Sequence, residues 1–258
     1  MLLSDTYTIF WREMKRYKKS RSSILIRLVQ PAIWIIVMGN TFASTRPLIQ
    51  SVGFSGSYIE FMAPGVIMLT AIFTSIFGGV NTLWDRRYGF MNKALVSPIS
   101  RSSIALGKML AISLISTLQS SLILGISLAL GVHISNLLVI FPILLTVTVF
   151  SLGFSGISVI VAATSKSQET FWGLINFLGM PLFMLSPALF PLELLPSWLA
   201  FVARLNPVTY AVLLIRQMMS GTFQILPVVI EMAVICGFVI IMVGLASYVF
   251  KREVNKPF

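Results

Sequence analysis

The sequence predicts an all-α polytopic membrane protein with six transmembrane helices, an N-terminal amphipathic interfacial helix and short re-entrant helices before the last span. Of its 258 residues, 57% are hydrophobic and only 10% are charged, and the mean hydropathy is +0.92. A soluble domain is nearer about a quarter charged. The apolar residues also form runs close to the roughly 20 residues that cross a bilayer as a helix. These observations exclude an ordinary soluble enzyme, a disordered chain and a nucleic-acid-binding domain.

Residues 4–21 predict the interfacial helix. Apolar side chains recur there at spacings of three and four residues, which forms one stripe of a helix. Basic residues cover the other faces, so such a helix would lie along the membrane beside anionic lipid headgroups. The alternative is a basic flank that only sets the topology. The stripe consists of Leu3, Tyr7, Phe10, Met14 and Tyr17.

The distribution of positive charge predicts the orientation of the spans. All but Arg46, Arg204 and Arg216 of the 19 Lys and Arg residues lie on one side of the predicted spans. The positive-inside rule then places both termini and the 84–104 loop in the cytoplasm, as in a multi-pass protein of the cytoplasmic (inner) membrane. The predicted spans are residues 24–45, 60–82, 104–131, 137–163, 171–189 and 226–249.

No sequence motif indicates catalysis by this chain. It contains no P-loop, and its one cysteine, Cys236, and one histidine, His133, leave no basis for a metal or cofactor site. The ionisable residues in or near the spans can all lie close to a membrane face, whereas a proton-coupled carrier would hold carboxylates at mid-span. We expect a membrane pathway that takes its energy from a partner. These ionisable residues are Arg27, Glu60, Lys108 and Glu231.

The segment 84–108 is too polar to cross a membrane and predicts a short helix held between two spans. Three charges end the preceding apolar helix, Gly89 permits a turn, and Ser97–Pro98 interrupts the chain before Ser100 can cap the next helix. Such a helix could dock on a cytoplasmic partner and pass motion to the spans, although an ordinary basic loop is equally consistent. The predicted docking residues are Asp85, Arg86, Arg87, Gly89, Leu95, Pro98 and Arg101.

Residues 190–225 predict a pair of short helices that dip into the outer leaflet and return. Prolines divide the apolar stretches into pieces too short to span, and the aromatic residues suit the membrane interface. An external loop lying flat on the membrane is the alternative. The residues that define this re-entrant segment are Pro191, Pro196, Trp198, Asn206, Pro207 and Tyr210.

Two segments carry a resemblance to ABC-2-type ABC transporter permeases. That family's loop after the second span resembles DRRYGFMNKALVSPISR at residues 85–101. Its segment before the last span resembles LFPLELLPSWL at 189–199 and NPVTY at 206–210. The likeness is greatest to the daunorubicin-type drug-resistance efflux branch and covers nearly the whole chain, so residues 1–258 are expected to form a single transmembrane domain.

The resemblance implies a permease that pairs with itself and carries two copies of a separate cytoplasmic P-loop ATPase, which would hold ATP and Mg. The 84–104 loop would be the coupling contact, and the N-terminal helix a further one. The implied function is export of a hydrophobic or amphipathic compound. A lipid-linked saccharide or polysaccharide exporter of the same fold is the alternative, and a gradient-driven secondary transporter is a third possibility. Residues 211–215 (AVLLI) lack the acidic residue that many family members carry there.

Aromatic and polar residues within the spans are candidates for lining a transport pathway. Each is also consistent with contact to lipid, packing between helices or an interhelical hydrogen bond. The candidates are Phe73, Phe77, Asn81, Asn176, Phe177 and Phe183.

Overall fold

The computed structural model describes residues 2–41, 56–91, 96 and 99–253, with the side chains of residues 2 and 21–26 excepted. No strand occurs among these residues, so the all-helical class is confirmed. The helices are α1 Leu2–Lys19, α2 Arg21–Ile33, α3 Tyr58–Gly78, α4 Val80–Arg87, α5 Arg101–Ala129, α6 Ile140–Thr164, α7 Gln168–Met184, α8 Ser197–Leu205, α9 Pro207–Ser220 and α10 Ile225–Glu253.

Four described helices are long and apolar enough to cross a membrane. They correspond to the second, third, fourth and sixth predicted spans. The number of candidate spans among the described residues rises to five if α8 and α9, which meet at an angle of 87°, count as one bent span. The total of six therefore stays a prediction. The four long helices cover Tyr58–Arg87, Arg101–Ala129, Leu137–Thr164 and Ile225–Glu253.

The first and fifth predicted spans are less regular than the sequence suggests. The first is helical from Arg21 and continues beyond α2 through a π-helical turn, Trp34–Met38, to Thr41. This wide turn follows Pro31, which cannot donate a backbone hydrogen bond. Residues 42–45, predicted to complete that span, lie outside the described residues. The fifth prediction extended to residue 189, but α7 ends at Met184 shortly before Pro187.

Helix α3 lies at the centre of the bundle and is buried on almost every side. Its side chains from Met62 to Ile76 form the core with α5, α6 and α9. Serine hydroxyls join the helices in this core. The Ser116 and Ser151 hydroxyl oxygens lie 2.8 Å apart, and Ser120 donates to the Ile67 carbonyl over 3.2 Å. Small polar residues of this kind are typical of helix contacts in membranes because they allow the backbones to approach closely.

The outer helices of the bundle expose apolar side chains instead. On α10, Ile240 and Ile241 are 72% and 57% exposed, and on α7 Phe177 is 75% exposed. Exposed apolar surface of this extent is what a lipid environment or a second copy would cover. The distribution of apolar side chains thus matches a membrane protein with a polar-laced interior and an apolar exterior.

Candidate functional site

Three helices bring oppositely charged side chains together where α4 ends and α5 begins. Asp85 of α4, Lys108 of α5 and Glu13 of α1 are 4%, 1% and 5% exposed. Arg12 of α1 joins them and is partly exposed. Charged side chains are almost never this buried unless they are paired. We call Arg12, Glu13, Asp85 and Lys108 the ionic cluster.

Both carboxylates of the ionic cluster are engaged by cations. Arg12 donates to the two oxygens of Asp85 from separate nitrogens, over 2.7 and 3.0 Å, and to Glu13 over 2.9 Å. Lys108 Nζ donates to Asp85 Oδ2 and, over 3.3 Å, to Glu13 Oε1. Arg16 adds a contact of 3.3 Å to Asp85. The Arg12–Asp85 contact is therefore of the bidentate kind that fixes geometry as well as charge.

The charge of Arg12 is secured by this pairing. Burial lowers the pKa of Arg12, but the hydrogen bonds and the charge of Asp85 more than compensate and hold that pKa above its ordinary value. The guanidinium carbon also lies 3.4 Å from the centre of the Phe90 ring. Arg12 thus connects α1 both to α4 and to the first residues after α4.

Helix α1 reaches the cluster because α5 carries a glycine beside Lys108. A Cβ atom at Gly107 would lie 2.7 Å from the Thr6 carbonyl oxygen and 2.8 Å from Cβ of Ile9. The absence of a side chain lets the two helices touch, and Ile9 is buried in the contact. This close approach places Glu13, one turn further along α1, against Lys108.

The predicted apolar stripe of α1 faces away from the bundle in its first half only. Leu3 and Tyr7 are 87% and 61% exposed, whereas Ile9 and Glu13 face inward. The interpretation of α1 as a helix is confirmed. Its buried contact residues, Ile9 and Glu13, lie outside the predicted stripe, although Tyr17 at the end of the stripe bonds Gln119 of α5. A contact between the exposed stripe and the membrane interface remains a prediction.

The residues after Asp85 point in different directions. Arg86 donates to the Ala162 carbonyl over 3.3 Å and to the Ala163 carbonyl, both in the last turn of α6. Arg87 is exposed, as is Tyr88. Of the predicted docking residues, Asp85 and Arg86 therefore hold the bundle together from within, whereas Arg87 faces outward.

The rest of the predicted docking segment is described in part. Gly89 adopts φ +73°, a conformation that glycine accepts without strain, which confirms the predicted turn. Ser100 accepts a hydrogen bond from the Ser103 amide over 3.1 Å and begins α5 as predicted, with Arg101 as its first residue. Leu95 and Pro98 lie outside the described residues.

The predicted re-entrant segment forms a corner at Asn206. Its side-chain oxygen caps α9 by accepting from the Val208 amide over 3.0 Å, and its side-chain nitrogen donates to the Leu182 and Leu185 carbonyls at the end of α7. The remaining predicted residues take terminal or exposed positions. Pro191 precedes a single 3-10 turn, Pro196 precedes α8, Trp198 is exposed on α8, Pro207 is the first residue of α9 and Tyr210 donates to the Arg204 carbonyl.

Substituting Asn206 by alanine should destabilise the protein by about 1–3 kcal/mol, because it removes a helix cap and leaves two carbonyls at the end of α7 without their donor. The measurement is the thermal unfolding midpoint in detergent. Asn136→Ala is the matched control, since Asn136 caps a helical turn in the same way but is exposed and bonds only the Leu138 amide. An equal loss in both variants would contradict the role of Asn206 as the corner.

The candidate pathway residues do not share one surface. Phe73 and Phe77 stack within α3 at a centroid distance of 5.7 Å, and Phe77 meets Trp172 of α7 in a tilted arrangement at 5.4 Å. Phe177 is exposed, but Phe183 is buried. Asn176 donates to the Trp172 carbonyl within its own helix, so the interhelical bond considered for it is wrong.

The polar candidate that lines a cavity is Asn81. It borders a space of about 230 Å³ near the ionic cluster, together with Arg16, Arg27 and Trp84. Gln119, a further polar residue of the core, donates to the Tyr17 hydroxyl over 3.1 Å and accepts from Thr74. Gln119 thereby makes the interhelical bonds that its position within α5 suggests.

Known proteins are similar to this sequence over most of its length. A protein of Cyanophora paradoxa with the provisional name transport permease ycf38 is 28% identical over 222 residues, covering 84% of this chain and 75% of that protein. The daunorubicin resistance ABC transporter permease protein DrrB1 of Streptomyces coeruleorubidus is 21% identical, covering 97% and 87%. Nodulation protein J of Rhizobium leguminosarum bv. trifolii is 25% identical, covering 93% and 89%.

A family-level comparison covers both segments that suggested a permease. The sequence model of the ABC-2 type transporter family matches residues 4–220, from α1 to the end of α9. This range includes the ionic cluster, the segment after α4 and the corner at Asn206. With this match over most of its length, the chain belongs to the ABC-2 type transporter family of membrane-embedded transport permeases.

Proposed function

We propose that this protein is the permease subunit of an ATP-driven exporter that moves a hydrophobic or amphipathic compound out across the cytoplasmic membrane. Two copies of the chain would form the pathway, and two copies of a separate P-loop ATPase would hydrolyse ATP beneath them. The observation that carries the proposal is the ionic cluster, which ties three helices together at the base of the predicted docking segment.

Through the ionic cluster, a displacement of the docking segment would be transmitted directly to the helices of the bundle. Asp85 lies in α4, which continues the central helix α3, and it is bonded to α1 and α5. Arg86 bonds the end of α6. Separating any of these contacts would leave a charge or a carbonyl buried without its partner, which is costly. The ends of α1, α3–α4, α5 and α6 therefore move as one unit.

An amphipathic or apolar substrate is favoured by the exposed surface of α7. Trp172, Phe177, Met180 and Met184 are exposed on this helix. Methionine and aromatic side chains together form an adaptable apolar surface that accepts ligands of varied shape. The relative named for daunorubicin resistance supports the same substrate class.

The proposal is tested by co-purifying the chain with the P-loop ATPase encoded nearest to its gene. We expect a stoichiometric complex whose ATPase activity rises with an amphipathic compound. Stimulation by lipid-linked saccharides alone would favour the saccharide exporter. Transport that continues with a catalytically inactive ATPase and follows an ion gradient would contradict ATP-driven export.

Reversing the exposed charge beside the cluster should weaken ATPase binding. Arg87→Glu should lower the yield of co-purified ATPase about tenfold, since it adds repulsion at the proposed contact without disturbing a buried pair. Arg204→Glu is the matched control, because Arg204 is also exposed but lies on α8 at the opposite end of the bundle. Equal recovery of ATPase with Arg87→Glu and the native chain would place the docking surface elsewhere.

A further inference from the structure

A cavity of about 440 Å³ lies at the end of the bundle opposite the ionic cluster. It is formed where α3 begins, where α5 connects to α6, and where α9 ends. Its lining combines polar groups, among them Arg216, Glu60 and Gln217, with apolar side chains such as Ile134 and Leu213. A cavity of this size and mixed lining is typical of a site for a small organic molecule.

Arg216 supplies a positive charge that has no carboxylate within ion-pair distance among the described residues. Its Nη2 donates to the Phe61 and Pro187 carbonyls over 3.1 and 2.6 Å, and its guanidinium carbon lies 3.8 Å from the centre of the Phe61 ring. Nε is buried and has no acceptor among the described residues. All eight Asp and Glu residues of the chain are described, and none lies within ion-pair distance of Arg216.

The carboxylate of the cavity cannot serve as that missing partner. Glu60 already accepts from the Ser57 amide over 2.7 Å and from His133 Nδ1 over 3.0 Å. Glu231 accepts from Gln217 over 2.8 Å instead. Glu193 attracts the Arg216 charge only from beyond ion-pair distance. The cavity thus holds one fixed cation that no described carboxylate contacts directly, which leaves its guanidinium able to pair with an anionic ligand.

We propose that this cavity binds the phosphate group of an amphipathic molecule, with Arg216 as the anion-binding residue. A guanidinium presents its donors in a planar fork that matches phosphate oxygens. The carbonyl bonds and the Phe61 ring hold this fork in place before a ligand arrives. Ile134, Leu213 and Met219 form the apolar wall against which the hydrocarbon part of the ligand packs.

The position of the cavity fits a phosphate-bearing amphiphile. Gly56 and Glu60, at the start of the span Tyr58–Arg87, line it, so it opens at the level where phospholipid headgroups meet the bilayer. Its volume exceeds that of a phosphate ion, which leaves room for the adjoining glycerol or hydrocarbon. A phospholipid and a free phosphate share the chemistry that Arg216 recognises, and the experiment distinguishes them.

The test measures the binding of dioctanoyl phosphatidic acid to the purified full chain in a neutral detergent, by isothermal titration calorimetry. Separate titrations use inorganic phosphate and dioctanoyl phosphatidylcholine. The variant Arg216→Gln should weaken phosphatidic acid binding roughly tenfold or more, because it removes a charge-assisted pair. The matched control is Arg204→Gln, which makes the same change at an exposed arginine of α8.

A second variant keeps the test valid if Arg216→Gln unfolds the protein. Leu213→Trp fills the cavity from α9 without altering Arg216, and it should reduce binding at least as strongly while the thermal midpoint is retained. Saturable binding of phosphatidic acid that both variants abolish and Arg204→Gln preserves would support the proposal. Binding of inorganic phosphate alone, with the same dependence on Arg216, would support an anion site that takes free phosphate.

Two results would overturn the assignment. Equal binding of phosphatidic acid by Arg216→Gln and the native chain would remove Arg216 from the site. Equal binding of phosphatidylcholine and phosphatidic acid would show that the hydrocarbon chain is recognised without the anionic charge. Neither experiment requires an ATPase partner, so failure here is distinct from failure of the proposed export function.

Discussion

Replacing Asp85 by asparagine should destabilise the protein by roughly 3–5 kcal/mol, because one partner is removed from a buried charge network. Lys108 is 1% exposed and would keep Glu13 as its remaining carboxylate partner. Arg12 would lose its bidentate contact with the Asp85 carboxylate and would keep Glu13 as its remaining carboxylate partner. Desolvated charges left in this way cost far more than the same change at a solvated site.

The measurement is the thermal unfolding midpoint of the purified protein in detergent, followed by ATPase activity in the complex with its partner. Glu169→Gln is the control, since it makes the same chemical change at an exposed carboxylate in the first turn of α7 and should lower the midpoint far less. The double variant Asp85→Asn/Lys108→Met should be more stable than Asp85→Asn alone, because it also removes the buried cation that has lost its contact with Asp85.

Two outcomes distinguish a coupling role from a purely structural one. If the double variant recovers stability but its ATPase activity no longer responds to substrate, the ionic cluster transmits motion between subunits. If the double variant is stable and fully coupled, the cluster serves folding alone and the transmission route proposed above is wrong. An unchanged midpoint in Asp85→Asn would contradict the burial of the network itself.

Hydropathy predicts the long helices of this fold well because the thickness of the bilayer sets their length. The start of α5 at Ser100 and the corner at Asn206 could also be anticipated, since capping residues and prolines act locally in sequence. The end of α7 was predicted less well. Apolar residues continue to residue 189, so hydropathy alone extends the span to that point. The helix ends at Met184 because Pro187 follows shortly afterwards.

The ionic cluster could not be predicted from local sequence because its partners are far apart in the chain. Arg12 and Asp85 are separated by 73 positions and Lys108 and Glu13 by 95. The sequence contained one indication of the contact between Asp85 and Lys108. Asp85 and Lys108 carry opposite charges at adjoining ends of two consecutive spans, and consecutive spans run antiparallel. The contribution of α1 could not be predicted because Ile9 and Glu13, which are buried against α5, lie outside the apolar stripe that the spacing indicated.

Substituting Gly107 by alanine should separate α1 from α5 and destabilise the protein by about 1–3 kcal/mol, the usual cost of overpacking a tight contact. The new Cβ would lie 2.7 Å from the backbone oxygen of Thr6, which cannot rotate away as a flexible side chain would. Since Glu13 and Arg12 are carried on α1, the displacement would also stretch their contacts with Lys108 and Asp85. We therefore expect Gly107→Ala to reduce substrate-stimulated ATPase activity as Asp85→Asn does.

Substituting a different glycine of α5 by alanine should increase the stability of the protein instead of lowering it. A Cβ at Gly125 meets no atom within 4 Å, so Gly125→Ala should stabilise the helix by up to about 1 kcal/mol through its higher helix propensity. Comparing the two unfolding midpoints isolates the steric contact with α1, because the helix and the chemical change are identical. If the unfolding midpoints of both variants shifted in the same direction, the close approach of α1 to α5 would not be what holds the ionic cluster together. A force on the docking segment would then have to reach the bundle through α4 alone.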